Sequence, residues 1–150
     1  MENEARKLAA IMLTDMVGYS AIAQKNEELS LELLEKHREI LRSILPLHNG
    51  KEIKTIGDAF LLEFGSALDA VICSIAIQEE FQKYNDSCPA DRKILLRIGI
   101  HLGDIVSRDG DIYGDGVNIS SRIEPLARPG GICISEDVAR QVQGKINMPL

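Results

Sequence analysis

Lys51-Glu52-Ile53-Lys54-Thr55-Ile56-Gly57-Asp58-Ala59-Phe60-Leu61-Leu62 decides the fold. It reads as two short strands joined by a tight turn at Gly57-Asp58, a pair suited to a hairpin turn. Lys54 lies inside the first strand, and the Asp58 carboxylate sits on the turn. A second carboxylate, Asp15, ends the apolar run over residues 7–14. That run reads as a buried strand, because covered strands are continuously apolar rather than alternating. Gly18 then breaks the strand, and Tyr19-Ser20 open a helix. A strand, a glycine turn and a helix start leave backbone N–H groups pointing outward, a geometry that suits phosphate.

Working outward, Leu31, Leu34, Ile40, Leu41, Ile44 and Leu45 give a helical apolar stripe. His37 and His48 are placed on its solvated side and at its end. Residues 46–50 stop the helix. A third long helix is expected over 67–84, with Ala70, Val71, Ser74, Ile77 and Phe81 buried. Residues 94–106 read as a strand, a glycine-rich bend and a second strand, followed by a loop over 107–115. A helix over 117–127, a strand over 131–134 and a last helix capped by Ser135 and ending at Val142 complete the order βααββαββαβα. His101, inside an apolar strand, is read as packing. This is an α+β fold, a mainly antiparallel sheet flanked by helices, in one domain over 1–150 whose sheet looks short of a final edge.

Composition narrows the function. At 150 residues the chain is long enough to bury about two-thirds of its unfolded surface. The net charge of -6 argues against a generic grip on nucleic acid, and the absence of Trp with 4% aromatics leaves few stacking platforms. A polyanion would need metal ions or a few placed cations. Cys73, Cys88 and Cys133 are odd in number and far apart, which fits a reducing compartment rather than a disulfide or zinc framework. No apolar run reaches membrane-span length and the start lacks a signal-peptide core, so a cytoplasmic location is expected. Two Asp at adjacent strand ends would suffice for divalent cations shared with phosphate oxygens.

Four segments then occur in one order: 13–20 (LTDMVGYS), 54–58 (KTIGD), 97–103 (RIGIHLG) and 111–122 (DIYGDGVNISSR). Together they resemble the catalytic domain of the class III adenylate and guanylate cyclases, over roughly residues 7–142. The resemblance implies a palm-type, ferredoxin-like cyclase fold and conversion of a nucleoside triphosphate to a cyclic nucleotide and pyrophosphate. By similarity, Asp15 and Asp58, with the Met16 carbonyl, hold two Mg2+ or Mn2+ ions per site, which favour the 3′ alkoxide and hold the β- and γ-phosphates. Backbone N–H groups of Val17, Gly18, Tyr19 and Ser20 suit the triphosphate, and Arg97 touches it from the metal side. Lys54 and Asp111 match the base-selecting pair. Adenine offers a donor at its amine and an acceptor at N1, which Asp111 and Lys54 complement, whereas guanine presents the reverse. ATP is therefore the expected substrate. Asn118 orients the ribose, and Arg122 neutralises charge on the α-phosphoryl group; four apart, they share one helix face.

The resemblance further implies a head-to-tail homodimer, each site taking Asp15, Asp58 and Arg97 from one chain and Lys54, Asp111, Asn118 and Arg122 from the other. Two features depart from the pattern. Leu13 stands where an aromatic is usual, and the family's phosphate-binding lysine falls past Leu150, Lys145 being too early for it. A non-catalytic nucleotide-binding or dimerisation module of the same fold is the rival reading. A dinucleotide-forming cyclase is disfavoured, because its Gly-Gly-acidic-acidic-Phe signature is absent.

Overall fold

The computed structural model describes residues 4–146. Two 13-residue strands, β1 (Glu4–Met16) and β4 (Leu96–Arg108), form its spine, antiparallel and paired along their whole length. The hairpin β2 (Lys51–Ile56) and β3 (Ala59–Phe64) adds to the other side of β1, giving the order β2-β3-β1-β4-β5. β5 (Asp111–Tyr113) and β6 (Ile132–Ile134) share the outer edge of β4, the former antiparallel and the latter parallel. The helices are α1 (Tyr19–Lys25), α2 (Glu27–Ile44), α3 (Ala67–Asp86), α4 (Asp115–Ile123) and α5 (Glu136–Val142).

Strand alternation sends side chains to two faces. Ala10, Met12 and Met16, with Phe60, Phe64, Leu96, Ile98 and Ile100, pack under α2, α3 and α5 in the main core. Ala9, Ile11, Leu61, Ile105 and Ile112 form a smaller core on the opposite face, where Val117 of α4 packs. The α+β architecture and the element order hold, with one reassignment inside residues 94–115. Gly99 and Gly103 do not bend the chain: β4 runs straight through them, and the next strand is β5, in the segment expected to be loop. The glycines serve α4 instead. A Cβ on Gly99 would stand 2.5 Å from the Glu124 backbone, and one on Gly103 3.3 Å from Gly116 Cα.

The α3 face is as expected: Ala70, Val71, Ser74, Ile77 and Phe81 are all buried. The α2 face is corrected in part: Leu41, Ile44 and Leu45 are buried as expected, and the stripe is otherwise shifted. Its buried residues are Ser30, Leu33, His37, Leu41 and Ile44, while Leu31 is 55% exposed. Asn26 caps this helix by accepting the Leu29 N–H at 3.1 Å. His37 is not solvated but fully buried, edge-on to Phe60 at 5.2 Å and near Phe81 at 5.9 Å, and neither ring nitrogen has a hydrogen-bond partner. His101 is buried as expected, its Nδ1 2.9 Å from the Ser135 hydroxyl that caps α5.

Burial, reinforced by Arg38 and Arg42, lowers the His37 pKa to about 4. The unfolded chain binds this proton below about 6.5 and the folded chain does not, so His37 favours folding above pH 6.5 and that contribution is lost as pH falls toward 4. Its size is about 3 kcal/mol across that window. Thermal melts of the chain and of His37→Leu between pH 7 and 4 should show a steeper acid loss in the former. Parallel curves would mean that the ring takes up its proton inside the fold.

Candidate active site

β1 ends at Met16, β4 begins at Leu96, and the β2–β3 turn lies beside them, so three elements meet at one end of the sheet. Asp15 and Arg97 are direct cross-strand partners. Asp58 reaches over from the turn, and its Oδ2 accepts the Met16 N–H at 2.8 Å. The two aspartates, 43 positions apart in the chain, are thus knitted to consecutive residues of one strand end. Arg97 is half-buried and donates through Nε to the Ala127 carbonyl at 3.0 Å.

Glu124 completes this cluster and escaped the sequence reading. It begins the 3₁₀ turn Glu124–Leu126 after α4 and is 3% exposed. Burial and the adjacent Asp15 carboxylate raise its pKa to about 8, against the opposing pull of Arg97. The signal was a helical stripe: Gly116, Ser120 and Glu124, four apart, are the buried positions of α4 and its extension. A raised carboxyl pKa contributes stability below the ordinary value of 4.5 that is lost as pH climbs toward 8. Glu124→Gln should therefore raise the melting temperature of the metal-free chain at pH 8 and leave it unchanged at pH 4. Equal shifts at both pH values would show that the side chain's charge is not what matters.

Asp15 Oδ1 is buried and has no hydrogen-bond partner. An orphaned carboxylate oxygen beside Asp58 and Glu124 is an all-oxygen environment suited to a hard divalent cation. Among the described residues no group of three or more His, Cys, Asp or Glu forms a ready cage. At the helix start, the Val17 N–H donates to the Leu95 carbonyl at 2.8 Å and is already engaged. The N–H groups of Gly18, Tyr19 and Ser20, at the first turn of α1, are the ones placed to meet an anion.

Lys54 and Asp111 lie on β2 and β5, opposite ends of the strand order, yet Lys54 Nζ donates to Asp111 Oδ2 at 2.9 Å. The sheet curls until its edges meet across the smaller core, helped by a register shift in β2 between Glu52 and Lys54. Lys54 and the Ile112 N–H hold the Asp111 carboxylate below its usual pKa. The pair remains 42% and 27% exposed, open to solvent on its outer side. Asn118 and Arg122 are exposed along α4. Among the described residues, no hydrogen bond or ion pair links Lys54, Asp111, Asn118 or Arg122 to Asp15, Asp58 or Arg97. The structure thus gathers Asp15, Asp58 and Arg97 into one group and Lys54 with Asp111 into another, while Asn118 and Arg122 stand apart on α4. A groove of about 470 Å3 between α3 and the β4–β6 edge, lined by Ile75, Gln78, Phe81, Leu95 and Ile132, contains neither group.

The profile of the family described as "Adenylate and Guanylate cyclase catalytic domain" matches residues 1–148, and the chain belongs to that family. The Rhizobium meliloti (strain 1021) protein named "Putative adenylate cyclase 3" is 43% identical over 148 residues, 98% of this chain and 25% of its own length. The "Adenylate cyclase" of Podospora anserina is 31% identical over 159 residues, 91% of this chain and 7% of its own. The chain therefore spans a quarter or less of the length of these relatives. The crystal structure of an adenylate/guanylate cyclase/hydrolase from Silicibacter pomeroyi superposes with a TM-score of 0.91 at 38% identity, covering 98% of this chain and 86% of that one. The fold is that of a nucleotidyl cyclase catalytic domain. No helix among the described residues is long and apolar enough to cross a membrane.

Proposed function

We propose that this domain is an adenylate cyclase, converting ATP to 3′,5′-cyclic AMP and pyrophosphate in a site shared between two copies of the chain. The observation that carries the choice of ATP is the Lys54–Asp111 pair, one donor and one acceptor held side by side at the surface. Asp111 accepts from the adenine amine and Lys54 donates to N1. Asn118 orients the ribose, and Arg122 meets the charge that builds on the α-phosphoryl group as the 3′ oxygen attacks and pyrophosphate leaves. Arg97 faces the triphosphate, and the first-turn N–H groups of α1 add neutral donors. Asp15 and Asp58, with the Met16 carbonyl, would hold two Mg2+ or Mn2+ ions. These ions supply charge neutralisation and a more acidic 3′ hydroxyl. His101, engaged by Ser135, is not needed as a base.

The division of residues into two groups supports a head-to-tail homodimer, in which each group faces its complement on the second copy. Product analysis tests the whole reading. With Mn2+ and either ATP or GTP, the chain should form cyclic AMP in at least about tenfold excess over cyclic GMP. Asp58→Ala should form neither. Predominant cyclic GMP would overturn the base assignment. Metal-dependent ATP binding without product would favour the non-catalytic module.

A further inference from the structure

The β2–β3 hairpin carries Asp58 on its turn and Lys54 in its outer strand; β3 is locked into the core beside β1, but β2 lies at the edge of the strand order. Among the described residues β3 is the sole strand neighbour of β2, and their ladder is interrupted between Glu52 and Lys54. Gly57 has φ 60°, and nothing stands within 4 Å of where its Cβ would be. An edge strand with an interrupted ladder opens more readily than its neighbours unless something outside the ladder ties it down.

Lys54 on Asp111 and Asp58 on the Met16 N–H are two such ties, and two arginines of α2 add to them from the other side. Arg38 Nη2 donates to the Gly57 carbonyl at 3.3 Å. Arg42, one helical turn on, grips Glu52 with both forks, Nε to Oε1 at 2.9 Å and Nη2 to Oε2 at 3.0 Å. Its guanidinium also lies 5.5 Å from the centre of the Phe60 ring. Residues four apart share one helix face, so both arginines reach the hairpin from the same side, one at each end of β2. The planar fork of arginine suits this work, because its donors are fixed relative to one another.

We propose that Arg38 and Arg42 are positioning residues: a two-point clasp from α2 that sets the Gly57-Asp58 turn against Met16 and turns the bulged part of β2 toward Asp111. Arg38 acts on Asp58. Arg42, through Glu52, acts on Lys54. The clasp rests on the cyclase reading only for what Asp58 and Lys54 do once they are placed.

The test compares the full chain with Arg38→Ala, Arg38→Lys and Arg42→Ala. Amide hydrogen exchange over residues 56–60 reads the clasp without any activity. Arg38→Ala should speed exchange there by about tenfold, with α3 and β4 unchanged and Arg38→Lys largely restoring protection. Binding of Mn2+ alone, followed by its paramagnetic resonance, should weaken by a similar factor in Arg38→Ala and stay unchanged in Arg42→Ala. Arg42→Ala should instead raise KM for ATP and lower the preference for ATP over GTP. Unchanged exchange at the turn, or exchange speeded equally throughout the sheet, would overturn the clasp. If the unsubstituted chain makes no cyclic nucleotide, the cyclase reading fails, and exchange still decides whether the arginines hold the turn.

Discussion

Mixing an Asp58→Ala chain with an Arg122→Ala chain should restore cyclic AMP formation that neither chain shows alone. Asp58 belongs to the cluster with Asp15 and Arg97, whereas Arg122 lies exposed on α4 with no hydrogen bond or ion pair to that cluster. In a two-fold dimer each site takes one group from each copy. A dimer of Asp58→Ala chains has two sites without a metal carboxylate, and a dimer of Arg122→Ala chains has two without the phosphoryl arginine. The mixed dimer concentrates both defects in one site and leaves the other intact. Random pairing of equal amounts makes half the dimers mixed, each with one working site of two, so activity should return to about a quarter of the unsubstituted rate. Each single variant should lose on the order of a hundredfold or more, since charge stabilisation is the larger part of phosphoryl-transfer catalysis. Mixtures no more active than their components would sink the shared site and require both groups to act within one chain.

How far the sequence revealed this molecule depended on how unambiguous each local pattern was. The α3 face was legible because Ala70, Val71, Ser74, Ile77 and Phe81 fit only one side of a helix. The α2 face was legible only at its end, in Leu41, Ile44 and Leu45. Leucines at 31, 33 and 34 surround the helix, and the residue at the centre of the buried stripe is His37, a polar type that ordinarily argues for solvent. Gly99 and Gly103 looked like a bend because glycine inside a strand often marks one. Their reason lies in the approach of α4, which no local window contains. β5 is three residues long, too short to display alternation.

The site divides along the same line. Asp15, Asp58, Lys54 and Asp111 sit in motifs whose order exposes them, and the structure pairs each with a neighbour distant in sequence. Glu124 has the look of a surface acid beside Pro125; the stripe of Ser120 and Gly116, four and eight residues before it, was the faint local signal, and Gly99, which lets the 3₁₀ turn descend onto β4, is the distant cause of its burial. The engaged Val17 N–H was equally hidden, because its acceptor, Leu95, lies far along the chain.

Lys54→Glu combined with Asp111→Asn should reverse the preference between ATP and GTP. In the structure Lys54 and Asp111 satisfy each other, so a base that matches them replaces one good pairing with two. Adenine does this through N1 and its amine. Guanine turns a donor toward the ammonium and an acceptor toward the carboxylate, leaving both protein groups and both base edges unpaired. Each mismatch costs about 1–3 kcal/mol, so two give a discrimination of about thirtyfold or more. Glutamate at 54 accepts from guanine N1–H, and the asparagine amide at 111 donates to O6, which inverts every term. Lys54→Glu alone leaves each base matched at one position only and should be poor with either nucleotide, whereas the amide of Asp111→Asn can still turn its oxygen to the adenine amine, so that variant should keep its preference for ATP. Only the double variant should gain on GTP. The ion pair also ties β2 to β5 across the smaller core, so the melting temperature of each variant should be measured beside kcat/KM. A double variant that melts like the parent yet still prefers ATP would show that the base is read elsewhere. One that prefers GTP would assign the reading to the strand edges that the curled sheet brings together.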